Sequence, residues 1–335
     1  MTTDQNLVNS YMDRAVEEFD VNPLATQLIR RFANQTPDLF SAAAIRHLAT
    51  TRQSNAHRFL SVLILRHQQE LLDYLTNPLE SRQKAVHLFQ RVAVIDPAFD
   101  VKLARKLPDR VGTNHHFAIS GQRAARAIEV LDETSRGRRL IPILGHLVES
   151  DEPRTREKAT LFIGRRVQSP AWAEKQLKRT DERVRANAVE SLWGLDTTPA
   201  KELLTNCAGD KANRVAGNAL IGLHIAGDSG IADEVRRMSR EPKACFRSTA
   251  AWMMGKIRDG EFVPRLTELV RDEEPVVRGA ALRSLIDLRR LVAGTPAAIV
   301  EPAAEIPPEA AAHMREQAAA EVADPDGGTF YTQHS

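Results

Sequence analysis

Tryptophan, tyrosine and cysteine are scarce in this chain, whose 335 residues hold three, three and two of them. Aromatic residues together make up 5%, too few for a large β-rich core, which draws on aromatic and β-branched side chains. Cys207 and Cys245 lie far apart and in no metal-type spacing, so neither a disulfide framework nor a zinc site is expected. Long apolar runs are missing as well. The longest, such as Phe59 to Leu65, fall far short of the roughly 20 residues a membrane-crossing helix needs. Met1 to Ser10 shows neither the basic nor the apolar region of a secretory signal. A cytoplasmic protein with no membrane association is the expectation.

Catalytic signatures are absent too. The sequence contains no G-x-S-x-G elbow, no P-loop and no dinucleotide fingerprint. His115 and His116 are adjacent, but a bare pair rarely faces one ligand, and no acidic partner stands at H-E-x-x-H spacing. His47, His57, His67, His87, His146 and His224 sit singly in helical stretches, where solvated or capping roles explain them. No catalytic residue, metal or cofactor is expected, and the chain reads as a non-enzyme.

What is abundant is Ala, Leu, Arg and Glu, all strong helix formers. The net charge of +2 conceals an asymmetry. Residues 1–300 carry 45 Lys and Arg against 37 Asp and Glu, a balance of +8, whereas residues 301–335 carry one Arg against seven acids, a balance of −6.

Five segments align without gaps, beginning at Thr155, Val184, Val215, Phe246 and Val277. Their second position is Arg156, Arg185, Ala216, Arg247 and Arg278, in steps of 29, 31, 31 and 31 residues. Three residues further each has alanine (Ala159, Ala188, Ala219, Ala250, Ala281), and four beyond that a large apolar residue (Ile163, Leu192, Leu223, Met254, Leu285). Since Ala fills roughly one position in ten, five of five by chance is on the order of 10⁻⁵. Counting back twelve and nine positions from the second residue gives Leu144 and Leu147, Leu204 and Cys207, Val235 and Met238, and Leu266 and Leu269. In the 29-residue unit the same count gives Ala173 and Gln176, with Leu177 expected to take the inner place. Each unit is thus helix, tight turn, helix, with one apolar face per helix. A single hairpin cannot bury such a face alone, but stacking on its neighbours does. The recurring alanine marks a close helix contact that a larger side chain would overpack.

The expected fold is all-α: a right-handed α-solenoid, or superhelix, of antiparallel helical hairpins. Residues 1–138 form irregular N-terminal helical repeats, 139–290 the repeats of about 31 residues, and 291–335 a Pro-, Ala- and Glu-rich acidic tail, largely disordered. In the first region helices are expected over 24–33, 38–50, 54–75, 79–94, 98–106 and 122–133, with a loop at 108–121; a short helix is expected near 308–322.

An acid before the turn (Asp151, Asp181, Asp210, Glu241, Asp272), followed by apolar-Arg-x-x-Ala, resembles HEAT repeats in the short form also found in phycobilin lyases. The resemblance covers residues 139–290. It implies a hydrogen-bonded ladder of Asp151, Arg156, Asp181, Arg185, Arg247, Asp272 and Arg278, interrupted at Ala216 unless Arg214 substitutes. It also implies that the second helices line a concave face. Positions there off the Ala/Leu stripe are Lys158, Leu161, Asn187, Glu190, Trp193, Asn218, Trp252 and Arg283. Trp and Arg are favoured interface anchors, so the leading expectation is a scaffold or adaptor holding a protein partner. The alternative is a nucleic-acid-binding array like that of HEAT-like DNA glycosylases. It draws on the basic body and on the pairs Arg138–Arg139, Arg165–Arg166, Lys178–Arg179, Arg236–Arg237 and Arg289–Arg290. A tetrapyrrole lyase is suggested by repeat type alone.

Overall fold

The computed structural model of the chain describes residues 3–51, 54–107, 121–135, 137–228 and 230–292. His115 and His116, the expected helix near 308–322 and the acidic tail lie outside them, as does the expected loop except for Gly121. Among the described residues every regular element is helical, with no strand. The chain divides into two compact units, Met1–Arg166 and Val167–Ser335. The first of the five repeat segments falls in unit 1 and the other four in unit 2.

Unit 1 contains α1 (Thr3–Glu17), α2 (Pro23–Gln35), α3 (Pro37–Thr50), α4 (Ala56–Ile64), α5 (Gln68–Thr76), α6 (Arg82–Ile95), α7 (Phe99–Ala104), α8 (Gln122–Thr134), α9 (Ile141–Leu144) and α10 (Pro153–Val167), which ends one residue into unit 2. Local chemistry sets many of these starts. Pro23 and Pro37 occupy the first turn of their helices, where the missing N–H costs nothing. The Asn22 side chain caps α2 by accepting from the Leu24 N–H at 3.0 Å. The single helix expected over 54–75 is two. Backbone bonds from Arg66 to the Leu63 carbonyl and from His67 to the Ile64 carbonyl tighten the chain there and end α4. The break lets Leu60 and Ile64 on one side, and Leu71 and Leu75 on the other, all reach the core. Tertiary burial overrides a sequence that carries no Pro or Gly at the break.

Unit 2 contains α11 (Pro170–Leu177), α12 (Glu182–Glu190), α13 (Thr198–Cys207), α14 (Asn213–Ile225), α15 (Ile231–Met238), α16 (Ala244–Ile257), α17 (Val263–Leu269) and α18 (Pro275–Val292). Ser169, Asp181 and Thr197 cap α11, α12 and α13 with side-chain oxygens. Each odd-numbered helix packs on the one that follows, and α12, α14, α16 and α18 pack in succession. Ala188, Ala219, Ala250 and Ala281 sit fully buried at these contacts, as do Leu204, Val235 and Leu266 beneath them. In the 29-residue unit the inner place belongs to Gln176, which is buried, while Leu177 is half-buried. The phase of α11 puts the amide inward, and its Oε1 has no hydrogen-bond partner.

Two glycines set how closely the successive helices approach. A Cβ on Gly222 would lie 2.7 Å from Leu204 Cδ2 and 2.9 Å from Trp193 Cδ1. On Gly255 it would lie 2.5 Å from Ser284 Oγ and 3.1 Å from Ser284 Cα, so backbone as well as side chain would have to move.

Candidate partner-binding groove

The Gly255–Ser284 contact forms the floor of a groove between α16 and α18. Ser284 is buried and donates its hydroxyl to the Ala251 carbonyl at 2.8 Å, fastening the two helices where the glycine lets them meet. Larger neighbours rise on either side. Trp252, Lys256 and Arg258 come from α16 and its C-cap, and Arg283 and Asp287 from α18; with Gly255, Ala280 and Ser284 they enclose about 420 Å³. Trp252 is half-buried, and Lys256 Nζ stands 6.0 Å from its ring centroid, within cation–π range. The arrangement offers an aromatic face beside three cations and one carboxylate, which suits recognition of a segment carrying apolar and acidic groups.

The other residues expected on the binding face are placed differently. Lys158 pairs with Glu129 at 2.7 Å in unit 1, Leu161 and Glu190 are half-buried, and Asn187 is buried. Asn218 is buried as well, and its amide donates to the Ala186 carbonyl at 2.9 Å. The Trp193 indole donates to the Asn218 carbonyl at 2.8 Å. Trp193 and Asn218 therefore hold consecutive helices together, because a helix face that stacks on its neighbour on both sides leaves little polar surface for anything else.

The ladder residues have defined roles within each unit. Arg156 donates to the Ser150 carbonyl at 2.6 Å, and Asp181 accepts from the Arg183 N–H at 2.9 Å. Arg185 holds the Thr180 carbonyl of its own turn at 2.8 Å and reaches Asp210 in the next unit at 3.4 Å. Arg247 repeats this more tightly, holding the Pro242 carbonyl at 2.7 Å and gripping Asp272 with two bonds of 2.8 and 2.9 Å. Arg278 bonds the carbonyls of Asp272 and Glu273. Burial pushes the Asp272 carboxyl up, but bonds from Arg247 and the Glu274 N–H outweigh it and hold it below the usual range. Asp151 is exposed. At Ala216 the side chain has no group to continue the pattern.

The recurring basic pairs are largely neutralised at home. Arg165 and Arg166 both bind Asp132, at 2.5 and 2.6 Å, and Arg139 binds Asp100 at 2.7 Å. Arg236 binds Asp233 and Glu261, and Arg237 binds Glu234 and Glu241.

A polar cluster in unit 1 escaped the sequence reading. Asp13 of α1 accepts from Arg46 at 2.6 Å and from His47 Nδ1 at 3.0 Å, both on α3. His47 and His57 are buried, not solvated, and their rings meet edge to face with centroids 5.6 Å apart. Thr51 donates its hydroxyl to the His47 carbonyl and lies 3.4 Å from His57 Nε2, while Arg91 of α6 donates to the carbonyls of Leu48 and Thr51. A cavity of about 850 Å³ opens beside Asp13, His47 and His57. Burial, aided by Arg91 and His47, pushes His57 down to about 4. Burial also lowers His47, against the pull of Asp13. Both rings are thus neutral at pH 7, and Thr51 spends its proton on a backbone carbonyl, so the cluster holds no activated nucleophile. It clasps α1, α3, α4 and α6. Residues 34 apart on two helices leave no linear motif to find.

Burial pushes the Cys207 thiol up to about 11, and Cys245 is half-buried. Among the described residues no group of three or more His, Cys, Asp or Glu could hold a metal ion, and no helix is long and apolar enough to cross a membrane.

No protein-family model matches the chain, and no curated protein does. The groove must therefore be read from its own chemistry.

Proposed function

We propose that the chain is a non-catalytic scaffold, a right-handed α-solenoid of HEAT-type hairpins in the cytoplasm that holds a protein partner on the concave face of its second helices. The observation that carries this reading is the meeting of Trp252 and Arg283 across one groove of about 420 Å³, floored by Gly255 and Ser284. Hot spots of protein interfaces are enriched in Trp and Arg and sit in well-packed pockets. The buried amide of Asn218 and the buried Asn187 narrow the binding face to its C-terminal end. A nucleic-acid surface fits less well, because such binding draws on cations free to displace counterions, and the arginine pairs here answer to carboxylates of the same unit.

The test is capture of partners from native lysate by the full chain, with and without nuclease, followed by affinity measurement on the recovered protein. W252A/R283A is expected to weaken that affinity by roughly 30-fold or more, since loss of a hot spot costs about 2 kcal/mol or more. Unaltered affinity refutes the placement. Prey that disappears on nuclease treatment moves the nucleic-acid reading to the front.

A further inference from the structure

Several arginines of unit 2 meet carboxylates of their own unit: Arg236, Arg237, Arg247 and Arg265 each form at least one ion pair. In the groove two cations stand together without one. The side chains of Lys256 and Arg258 are exposed and form no hydrogen bond or ion pair among the described residues, and Arg283 of α18 lines the same groove. Arg258 is also held at φ 62°, ψ 32°, the left-handed conformation that caps α16. Glycine or asparagine takes that position at lower cost. An arginine kept there places a guanidinium at the mouth of the groove, where three cations outnumber the single carboxylate of Asp287.

Further negative charge exists in the same chain. Helix α18 forms one wall and ends at Val292, roughly 13 Å along its axis from Arg283. Forty-three residues follow. The first eight, 293–300, are uncharged and span up to roughly 26 Å, enough to turn back along α18. Residues 299–326 then carry seven acids and one Arg, with Ile299, Val300 and Ile306 beside Glu301 and Glu305. Apolar and acidic groups thus alternate in the mixture that an indole flanked by cations recognises.

We propose that the acidic C-terminal segment, residues 299–326, occupies the groove between Trp252 and Arg283 in the free protein. A partner using the groove must then bring acidic groups of its own and displace the segment; that consequence alone rests on the scaffold reading above.

The test uses the full chain. Zero-length carbodiimide coupling followed by mass spectrometry is expected to join Lys256 to Glu301, Glu305 or Glu309 within one molecule. The yield should fall roughly fivefold in about 0.5 M salt, as exposed charges are screened. With 5-fluorotryptophan in place of the three tryptophans, the Trp252 resonance, assigned by W252F, is expected to shift in E301Q/E305Q/E309Q, while those of Trp172 and Trp193 stay. K256E/R258E should produce the same Trp252 shift in a chain whose tail is intact. Absence of the Lys256 crosslink, crosslinks between copies only, or a Trp252 resonance unmoved by the tail substitutions overturns the proposal. None of these readouts needs a partner, and the W252A/R283A capture experiment needs no tail, so the two readings fail separately.

Discussion

Acidifying the solution from about pH 7 to about pH 4.5 should destabilise unit 1 through its buried histidines, and His57 sets the size of the effect. Burial beside Arg91 and His47 lowers this imidazole from 6.5 to about 4 in the folded chain. Between those values the unfolded state binds a proton that the folded state refuses, so stability falls as pH drops through the unfolded value. At pH 4.5 the loss is about 2.5 kcal/mol, since each unit of difference corresponds to about 1.4 kcal/mol. At 9% exposure the ring has little solvent to soften that figure. Asp13 acts in the same direction at lower pH, because its carboxyl is held below the usual range by His47 and Arg46 despite its burial. The assay is urea unfolding at both pH values for the wild type and H57Q, followed by far-UV circular dichroism and by tryptophan fluorescence. Trp172, Trp193 and Trp252 all lie in unit 2, so the excess acid loss should appear in helix content before it appears in fluorescence. H57Q should lower stability at pH 7 but flatten the pH dependence by about 2.5 kcal/mol. A pH dependence identical in H57Q and the wild type refutes the argument, as does a histidine Cε1 titration placing His57 near its ordinary value.

Two further outcomes follow from packing and pairing. Gly255→Ala forces a methyl against the Ser284 backbone and should cost about 1–3 kcal/mol, read by thermal or urea melts with tryptophan fluorescence; a neutral effect would mean that α16 and α18 separate freely. Asp272→Ala removes the two short bonds to Arg247, whose side chain is one-tenth exposed, and leaves it Glu273 at 3.2 Å and the carbonyls of its own turn; it should cost about 2 kcal/mol. Asp210→Ala removes a longer, wetter contact of 3.4 Å to Arg185 and should cost about 1 kcal/mol or less. Equal losses would show that these pairs do not differ in strength.

The sequence carried most of the helical architecture because the repeat writes its packing into single positions. Alanine at every close contact and the pairs twelve and nine residues upstream mark inner faces, and they are buried: Leu204, Val235, Met238, Leu266 and Leu269 among them. Where the period slips, the reading slips too. The unit that holds α11 is two residues shorter than the others, and Gln176 rather than Leu177 points inward. The break between α4 and α5 has no local signal, since it exists to let two apolar faces reach one core. Asn218 looked like a surface amide because periodicity distinguishes stripe from non-stripe, and not a solvated flank from one covered by the next hairpin. Trp252 and Arg283 lie on different helices, and only the Gly255–Ser284 contact shows that they share a groove. The Asp13–His47–His57 cluster was out of reach, since its members come from three helices and each is unremarkable in its own stretch.

The arginine clasp also divides the hairpins into two kinds of connection. Arg185, Arg247 and Arg278 each hold carbonyls five or six residues upstream, inside the turn that joins first helix to second. A residue added to such a turn carries those carbonyls out of reach and unlocks the hairpin. The connections from one hairpin to the next run instead through Gly194 and Gly227, both in positive-φ conformations, with exposed residues at 196–199 and at Asp228. Affinity tags, fluorescent reporters or whole grafted domains belong there, on a side of the protein whose length the fold does not count.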